Sequence, residues 1–236
     1  MKRLLPFTII ILVLAFSVGA YWFMTRPVQT IGGGRGSSLA AGPGTAGADS
    51  AAVVNASPGA APAHFRGPES APAMLEEFGD FECPPCGGVY PILKQMESEF
   101  GSRLRVTFRE FPLTPPHVHA LAAARAAEAS GLQGKFFEMH DMLYENQTTW
   151  KDAFDVRPIF EGYASKIGLD VERFKSDNAS DAVERRITLD GSRGHSLGVK
   201  GTPTVFLNGV EIPFEQLTTA ETLRAAINKG LSAPAK

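Results

Sequence analysis

The pattern of apolar and polar positions divides the chain into three stretches. Lys2 and Arg3 precede an uncharged run from Leu4 to Thr25, closed by Arg26. That run matches the roughly 20 apolar residues a membrane-spanning helix needs. The leading basic pair favours an amino terminus kept in the cytoplasm, and Tyr21, Trp22 and Phe23 sit where aromatic rings suit the headgroup region. A cleaved signal peptide is the rival reading, with Val18 and Ala20 as its small cleavage positions; Tyr21 and Trp22 directly after them weigh against it. Residues 1–26 are therefore assigned to a transmembrane signal-anchor, and either reading sends the remainder out of the cytoplasm. Residues 27–70 are mostly Gly, Ala, Ser and Pro, too poor in apolar side chains to offset their ordering entropy, and read as a flexible linker.

The third stretch, residues 71–231, carries regular periodicities. Ala73 to Phe81 reads as a strand. Pro84 and Pro85 suit the opening positions of a helix, where a missing N–H costs nothing. That helix continues through Val89, Ile92, Leu93, Met96 and Phe100, with Pro91 as an internal kink and Gly101 as its stop. Arg103 to Phe111 alternates Leu104, Val106 and Phe108 with arginines, which is a strand pattern. Helices are predicted over His117–Gly131, Lys135–Tyr144, Arg157–Ile167, Val171–Ser176 and Asp181–Leu197. Thr204–Leu207, the Asn208-Gly209 turn and Val210–Ile212 form a hairpin, and Pro213–Lys229 a closing amphipathic helix. The order β-α-β, helical insertion at about 115–197, β-β-α predicts an α/β domain with a mixed sheet.

Composition narrows the function classes. The 236 residues carry a net charge of −2 and a pI near 6.2, with charges scattered rather than blocked, so a nucleic-acid partner is not expected. Two cysteines make no disulfide framework, so stability has to come from a packed core. The Gly32–Gly36 cluster lacks the lysine, strand and helix of a phosphate-binding loop.

Those two cysteines, Cys83 and Cys86, enclose Pro84-Pro85 where the first strand meets the first helix. A structural disulfide there would close so short a loop that it contributes only roughly 2 kcal/mol. A structural zinc site needs four ligands, and no second cysteine pair supplies them. Thiol–disulfide chemistry is the reading that remains, one thiolate attacking and its neighbour resolving the mixed disulfide. His117 and His119 form a His-x-His whose metal-binding reading is weaker than that of a helix start beside a proline turn. His64 and His195 have no partner visible in sequence. His140 falls on an apolar helix face as a hydrogen-bonded core or groove residue, and Trp150 reads as packing.

Taken together, residues 71–231 resemble the DsbA-like branch of the thioredoxin superfamily. The resemblance rests on Cys83-Pro84-Pro85-Cys86, on Pro91, on Gly201-Thr202-Pro203-Thr204, on the run Gln133 to Asp141, and on Glu77 six residues before Cys83. It implies a thioredoxin-like fold in which Cys83 is the exposed nucleophile at a helix amino terminus and Cys86 the buried resolving thiol. It further implies that Pro203 is a cis-proline beside the sulfurs, that Thr202 and Pro203 receive an extended substrate strand, and that Glu77 is a buried acid exchanging protons with Cys86. Glu76 and Asp80 are lesser candidates. The motif departs from the best-known oxidase, which has Pro-His between its cysteines. Two prolines offer the Cys83 sulfur no backbone N–H or ring donor, leaving chiefly the Cys86 N–H and thiol. A less depressed Cys83 pKa is therefore expected, with a potential between about −120 and −270 mV or lower.

The function expected is that of an extracytoplasmic thiol–disulfide oxidoreductase, foremost an oxidase, acting on exported cysteine-containing proteins. It would need no cofactor beyond the Cys83–Cys86 couple, and a membrane redox partner, a quinone-linked oxidase or a reductase, would recharge it. The alternative from another class is a periplasmic Cu(I) metallochaperone using the same pair. A redox-inactive module that retains only the fold is opposed by the intact cysteines.

Overall fold

The computed structural model describes residues 56–232. The anchor expected over 1–26 and most of the expected linker lie outside the described residues. Among the described residues no helix is long and apolar enough to cross a membrane.

A five-stranded mixed sheet runs through the domain in the order β1-β3-β2-β4-β5, with β1 His64–Arg66, β2 Ala73–Gly79, β3 Leu104–Glu110, β4 Thr204–Leu207 and β5 Val210–Ile212. The central pair, β2 and β3, is parallel, with Ala73 opposite Leu104 and Gly79 opposite Glu110. Such a pair requires a crossover, and α1 (Pro84–Phe100) supplies it. Pro91 lies inside α1 without ending it, and Gly101 closes it at φ +51. The β4–β5 hairpin turns at Asn208-Gly209, both at positive φ, as that dipeptide predicts.

Apolar layers cover both faces of the sheet, with Phe78, Phe111, Val199 and Phe206 forming one of them. On one side Val89, Leu93 and Met96 of α1 pack with Leu75, Val106, Val205 and with Leu223 and Ile227 of the closing helix. The second layer joins the active-site end to the helical insertion. It contains α2 (Ala120–Gly131), α3 (Phe136–Glu145), the short α4 (Gln147–Trp150), α5 (Arg157–Lys166), α6 (Val171–Asn178) and α7 (Asp181–Ser196). Fully buried alanines on α2 let its neighbours approach closely, and Trp150 fills the centre with its indole N–H donated to the Leu143 carbonyl at 2.8 Å.

The structure corrects several boundaries. The expected linker does not extend to residue 70, because His64–Arg66 pairs antiparallel with β3 and residues 57–60 are bound by α7. The Ala60 N–H donates to Asp190 at 2.7 Å and the Ser57 N–H to Ser196 at 2.9 Å. These ties come from side chains more than a hundred residues away, which no local pattern reveals. The first insertion helix starts at Ala120 rather than His117, since the His117 ring and the His119 N–H are taken by Asp80 and Glu82. The last helix divides into a 3-10 turn, Phe214–Leu217, and α8 (Ala220–Ser232), with the Thr219 hydroxyl accepting from the Thr222 N–H.

Candidate active site

β2 ends at Gly79 and a four-residue turn, Asp80 to Cys83, leads into α1. The turn is pinned by Asp80, whose Oδ1 accepts from the Glu82 N–H at 2.8 Å and whose carbonyl accepts from the Cys83 N–H at 3.1 Å. Cys83 then takes an extended N-cap conformation, and Pro84 and Pro85 start the helix. Its sulfur therefore sits at the positive end of a 17-residue helix.

Both cysteines are free thiols. Cys86 is fully buried, as expected one turn inside the helix, but Cys83 is only 4% exposed rather than the open nucleophile anticipated. The cover is the loop before β4: the Cys83 thiol donates to the Thr202 carbonyl at 3.3 Å. The Thr202–Pro203 peptide bond is cis, and the Thr202 carbonyl lies against the Cys83 sulfur.

The two thiols have opposite acidities. A hydrogen bond from the Cys86 thiol is the largest effect on Cys83 and, with the Thr202 side chain and the Cys86 backbone N–H, holds it at about 6 against burial. Burial, then the Cys83 sulfur itself, pushes Cys86 up.

Glu77 occupies the central strand, on the same face as Ala73 and Leu75, and is 3% exposed. The alternative of a solvated edge carboxylate is thereby excluded. Its Oε1 has no hydrogen-bond partner, and burial, followed by the charges of Glu97 and Cys83, raises its carboxyl to about 8. It lines a cavity of about 10 Å³ with Tyr90, Lys94, Glu97 and His140, room for roughly one water. Glu76, the next residue, faces the other side of β2, where Arg109 and Arg193 hold it at 2.8 and 2.7 Å.

The histidines diverge rather than converge. His117 Nδ1 meets Asp80 at 2.7 Å, whereas His119 Nε2 meets the Ala153 carbonyl at 2.8 Å. Among the described residues no group of three or more His, Cys, Asp or Glu is arranged to hold a metal. His64, partnerless in sequence, lies 3.0 Å from Glu128 and stacks on Phe136. His140 is buried among aromatic rings, and burial lowers it to about 4. His195 packs edge-on against Phe111.

Sequence reasoning missed Gln147 and Tyr144 of the insertion and underweighted Asp80. Tyr144 stacks on Tyr90 and contacts Phe81, with its buried hydroxyl unpartnered. Asp80 was legible through its spacing to Glu82, a short acidic side chain capping the N–H two residues on. Nothing in the sequence marked Gln147.

A family model described as Thioredoxin matches residues 60–229. Among curated proteins, a Na(+)/H(+) antiporter NhaA 1 of Salinispora arenicola is 42% identical over 147 residues, 62% of this chain and 22% of that protein. The chain thus spans about a fifth of the length of the curated relatives it matches. Among solved structures, oxidised BdbD from Bacillus subtilis superposes with a TM-score of 0.64 at 19% identity, covering 72% of this chain and 94% of BdbD. The thiol-disulfide exchange protein α-DsbA2 of Wolbachia pipientis gives 0.60 at 21% identity, covering 76% and 90%.

Proposed function

The chain belongs to the thioredoxin family, with the fold of its DsbA-like thiol–disulfide oxidoreductases, and from that premise we propose that it oxidises dithiols of exported proteins through Cys83 and Cys86. The observation that carries the reading is the polarised pair: a Cys83 thiol held near 6 at a helix amino terminus beside a buried, high-pKa Cys86. A low-pKa thiolate is a good leaving group, which favours handing the disulfide on.

In the oxidising direction a substrate thiolate attacks Cys83 Sγ of the Cys83–Cys86 disulfide. The Cys86 thiolate departs and takes a proton from Glu77, whose raised pKa keeps that proton available at neutral pH. The second substrate thiolate attacks the substrate sulfur of the mixed disulfide, and Cys83 leaves as the thiolate. The substrate loses two electrons, the pair gains them, and no cofactor enters. Thr202 and Pro203 line the approach to Cys83 and receive the substrate backbone. A membrane-bound, quinone-linked oxidase would restore the disulfide. Anchoring through residues 1–26, with the domain on the extracytoplasmic side, would hold the protein near that partner.

The test is the in-cell redox state of the pair, trapped by acid and read with a mass-shifting thiol reagent. A predominantly disulfide form supports the oxidase; a predominantly dithiol form replaces it with a reductase or isomerase charged from a membrane donor. Cu(I) titration of the reduced protein separates the metallochaperone reading, which stands on the cysteine pair alone and requires tight stoichiometric binding.

A further inference from the structure

The insertion reaches the redox turn through one side chain. Gln147, the first residue of α4, is buried and donates from Nε2 to the Phe81 carbonyl at 2.7 Å and to the Cys83 carbonyl at 2.9 Å. Both partners are acceptors only, so chemistry fixes which end of the amide faces them, and both amide protons are used. The opposite end, Oε1, comes so close to α1 that a Cβ on Gly87 would lie 2.6 Å from it. Gly87 follows Cys86 directly, inside the first turns of α1, where glycine is disfavoured against alanine. Its neighbour Gly88 has nothing within 4 Å, so only Gly87 is explained by a close approach. The base from which Gln147 acts is firm: Trp150 locks α4 by its bond to Leu143 and its edge contact with Phe160.

We propose that Gln147 is a positioning residue for the disulfide exchange: its amide clamps the carbonyls of Phe81 and Cys83, holds the Cys83 sulfur at the helix amino terminus, and thereby sets its reactivity. The proposal rests on the thiol–disulfide reading above. Two mechanisms act in the same direction. The Cys83 carbonyl already accepts the first helical bond, from the Gly87 N–H at 3.2 Å, and the Gln147 amide fills its second lone pair. The turn is thus fixed with Cys83 extended and its sulfur against Thr202. The N–H dipoles of the amide also place partial positive charge beside the peptide group that carries the sulfur, which favours the thiolate. Losing the clamp raises the Cys83 pKa and stabilises the disulfide relative to the dithiol.

The experiment compares full-length protein in detergent with Gln147→Met, which keeps length and loses both donors, and with Gly87→Ala, which displaces the amide and leaves it intact. The Cys83 pKa is read from thiolate absorbance, and the dithiol–disulfide equilibrium from titration with glutathione. Each variant is expected to raise the pKa by roughly half a unit to one unit and to shift the equilibrium toward disulfide roughly threefold to tenfold. The double variant should be no worse than either single one, because both remove the same clamp. A merely structural glutamine lowers the stability of oxidised and reduced protein equally and leaves the equilibrium unmoved, so an unchanged equilibrium and pKa in Gln147→Met overturns the proposal. Failure of the wild type to equilibrate with glutathione at all would instead overturn the underlying redox reading.

Discussion

The carboxyl of Glu77 loses almost all contact with water and gains no hydrogen bond to Oε1 in exchange. Its pKa rises from 4.5 to about 8, so the folded protein retains a proton that the unfolded chain releases above pH 4.5. The sign follows directly. Below pH 4.5 both states are protonated and the group costs nothing; as pH rises toward 8 the unfolded state gains stability by ionising and the folded state does not. Glu77→Gln removes that dependence. Its unfolding free energy in the reduced state is expected to exceed the wild type's by ~3 kcal/mol at pH 7 and to match it near pH 4. Urea titrations at the two pH values check this, and parallel curves for the two proteins would refute a buried neutral acid. The same variant should slow resolution of the mixed disulfide, since the departing Cys86 thiolate loses its proton donor. Cys86→Ala tests the neighbouring interaction. The Cys86 thiol is the largest influence lowering Cys83, so its removal should move the alkylation midpoint of Cys83 up from about 6 by roughly one unit. An unmoved midpoint would assign the acidity to the helix amino terminus and its Cys86 N–H instead.

At the scale of elements, a buried charge network joins strands to the insertion. Arg109 of β3 donates to Glu76 at 2.8 Å, to Asp190 of α7 at 2.9 Å and to the Ala60 carbonyl at 2.9 Å. Arg193 of α7 makes a two-pronged pair with Glu76 at 2.7 and 2.8 Å. Removing Arg109 leaves the buried Asp190 with backbone N–H donors from Ala60 and Glu110 but no counter-charge. Arg109→Leu is therefore expected to cost about 3–5 kcal/mol in urea unfolding, whereas Arg157→Ala, which removes the solvent-screened Arg157–Asp155 pair, should leave the urea midpoint essentially unmoved. Equal losses would show that the network is solvated in solution. This network also marks where sequence reading stopped. β2, β3, α1 and the β4–β5 hairpin were legible because each carries its own period, proline opening or Asn-Gly turn. The cysteine pair was legible as a Cys-x-x-Cys at a strand–helix junction, whereas Pro203 and Glu77 were reached only through the family resemblance. β1 was not, because three residues, His64-Phe65-Arg66, are too few to show an alternation, and what orders them is the edge of β3. Gln147 was not, because its role arises only when a helix 64 residues beyond Cys83 folds back onto the turn.

For the whole molecule, the question is where the linker expected from composition ends and the domain begins. Composition places that limit at residue 70; the sheet and α7 place it before Ser57. The difference is physical rather than nominal. Without residues 56–70 the three pairings of β1 disappear and β3 becomes an unprotected edge, with Phe65 and Arg66 no longer covering it. Asp190 loses the Ala60 N–H, and Arg109 and Arg193 lose the carbonyls of Ala60 and Ser57. Each buried group so orphaned costs on the order of 1–3 kcal/mol. A chain beginning at residue 56 is therefore expected to unfold in one cooperative transition, and a chain beginning at residue 71 to be less stable by at least about 3 kcal/mol and prone to associate through the bared strand. The turn that carries the cysteines is braced by α1, Thr202 and Gln147 rather than by this segment, so whatever fraction of the shorter chain is folded should keep the Cys83 alkylation midpoint near 6. Urea unfolding, sedimentation and alkylation of the two chains decide the matter. Equal stability would make residues 56–70 a docked piece of tether, whereas a destabilised domain with an intact cysteine pair would show that the sheet's fifth strand serves folding and the redox turn stands on its own supports.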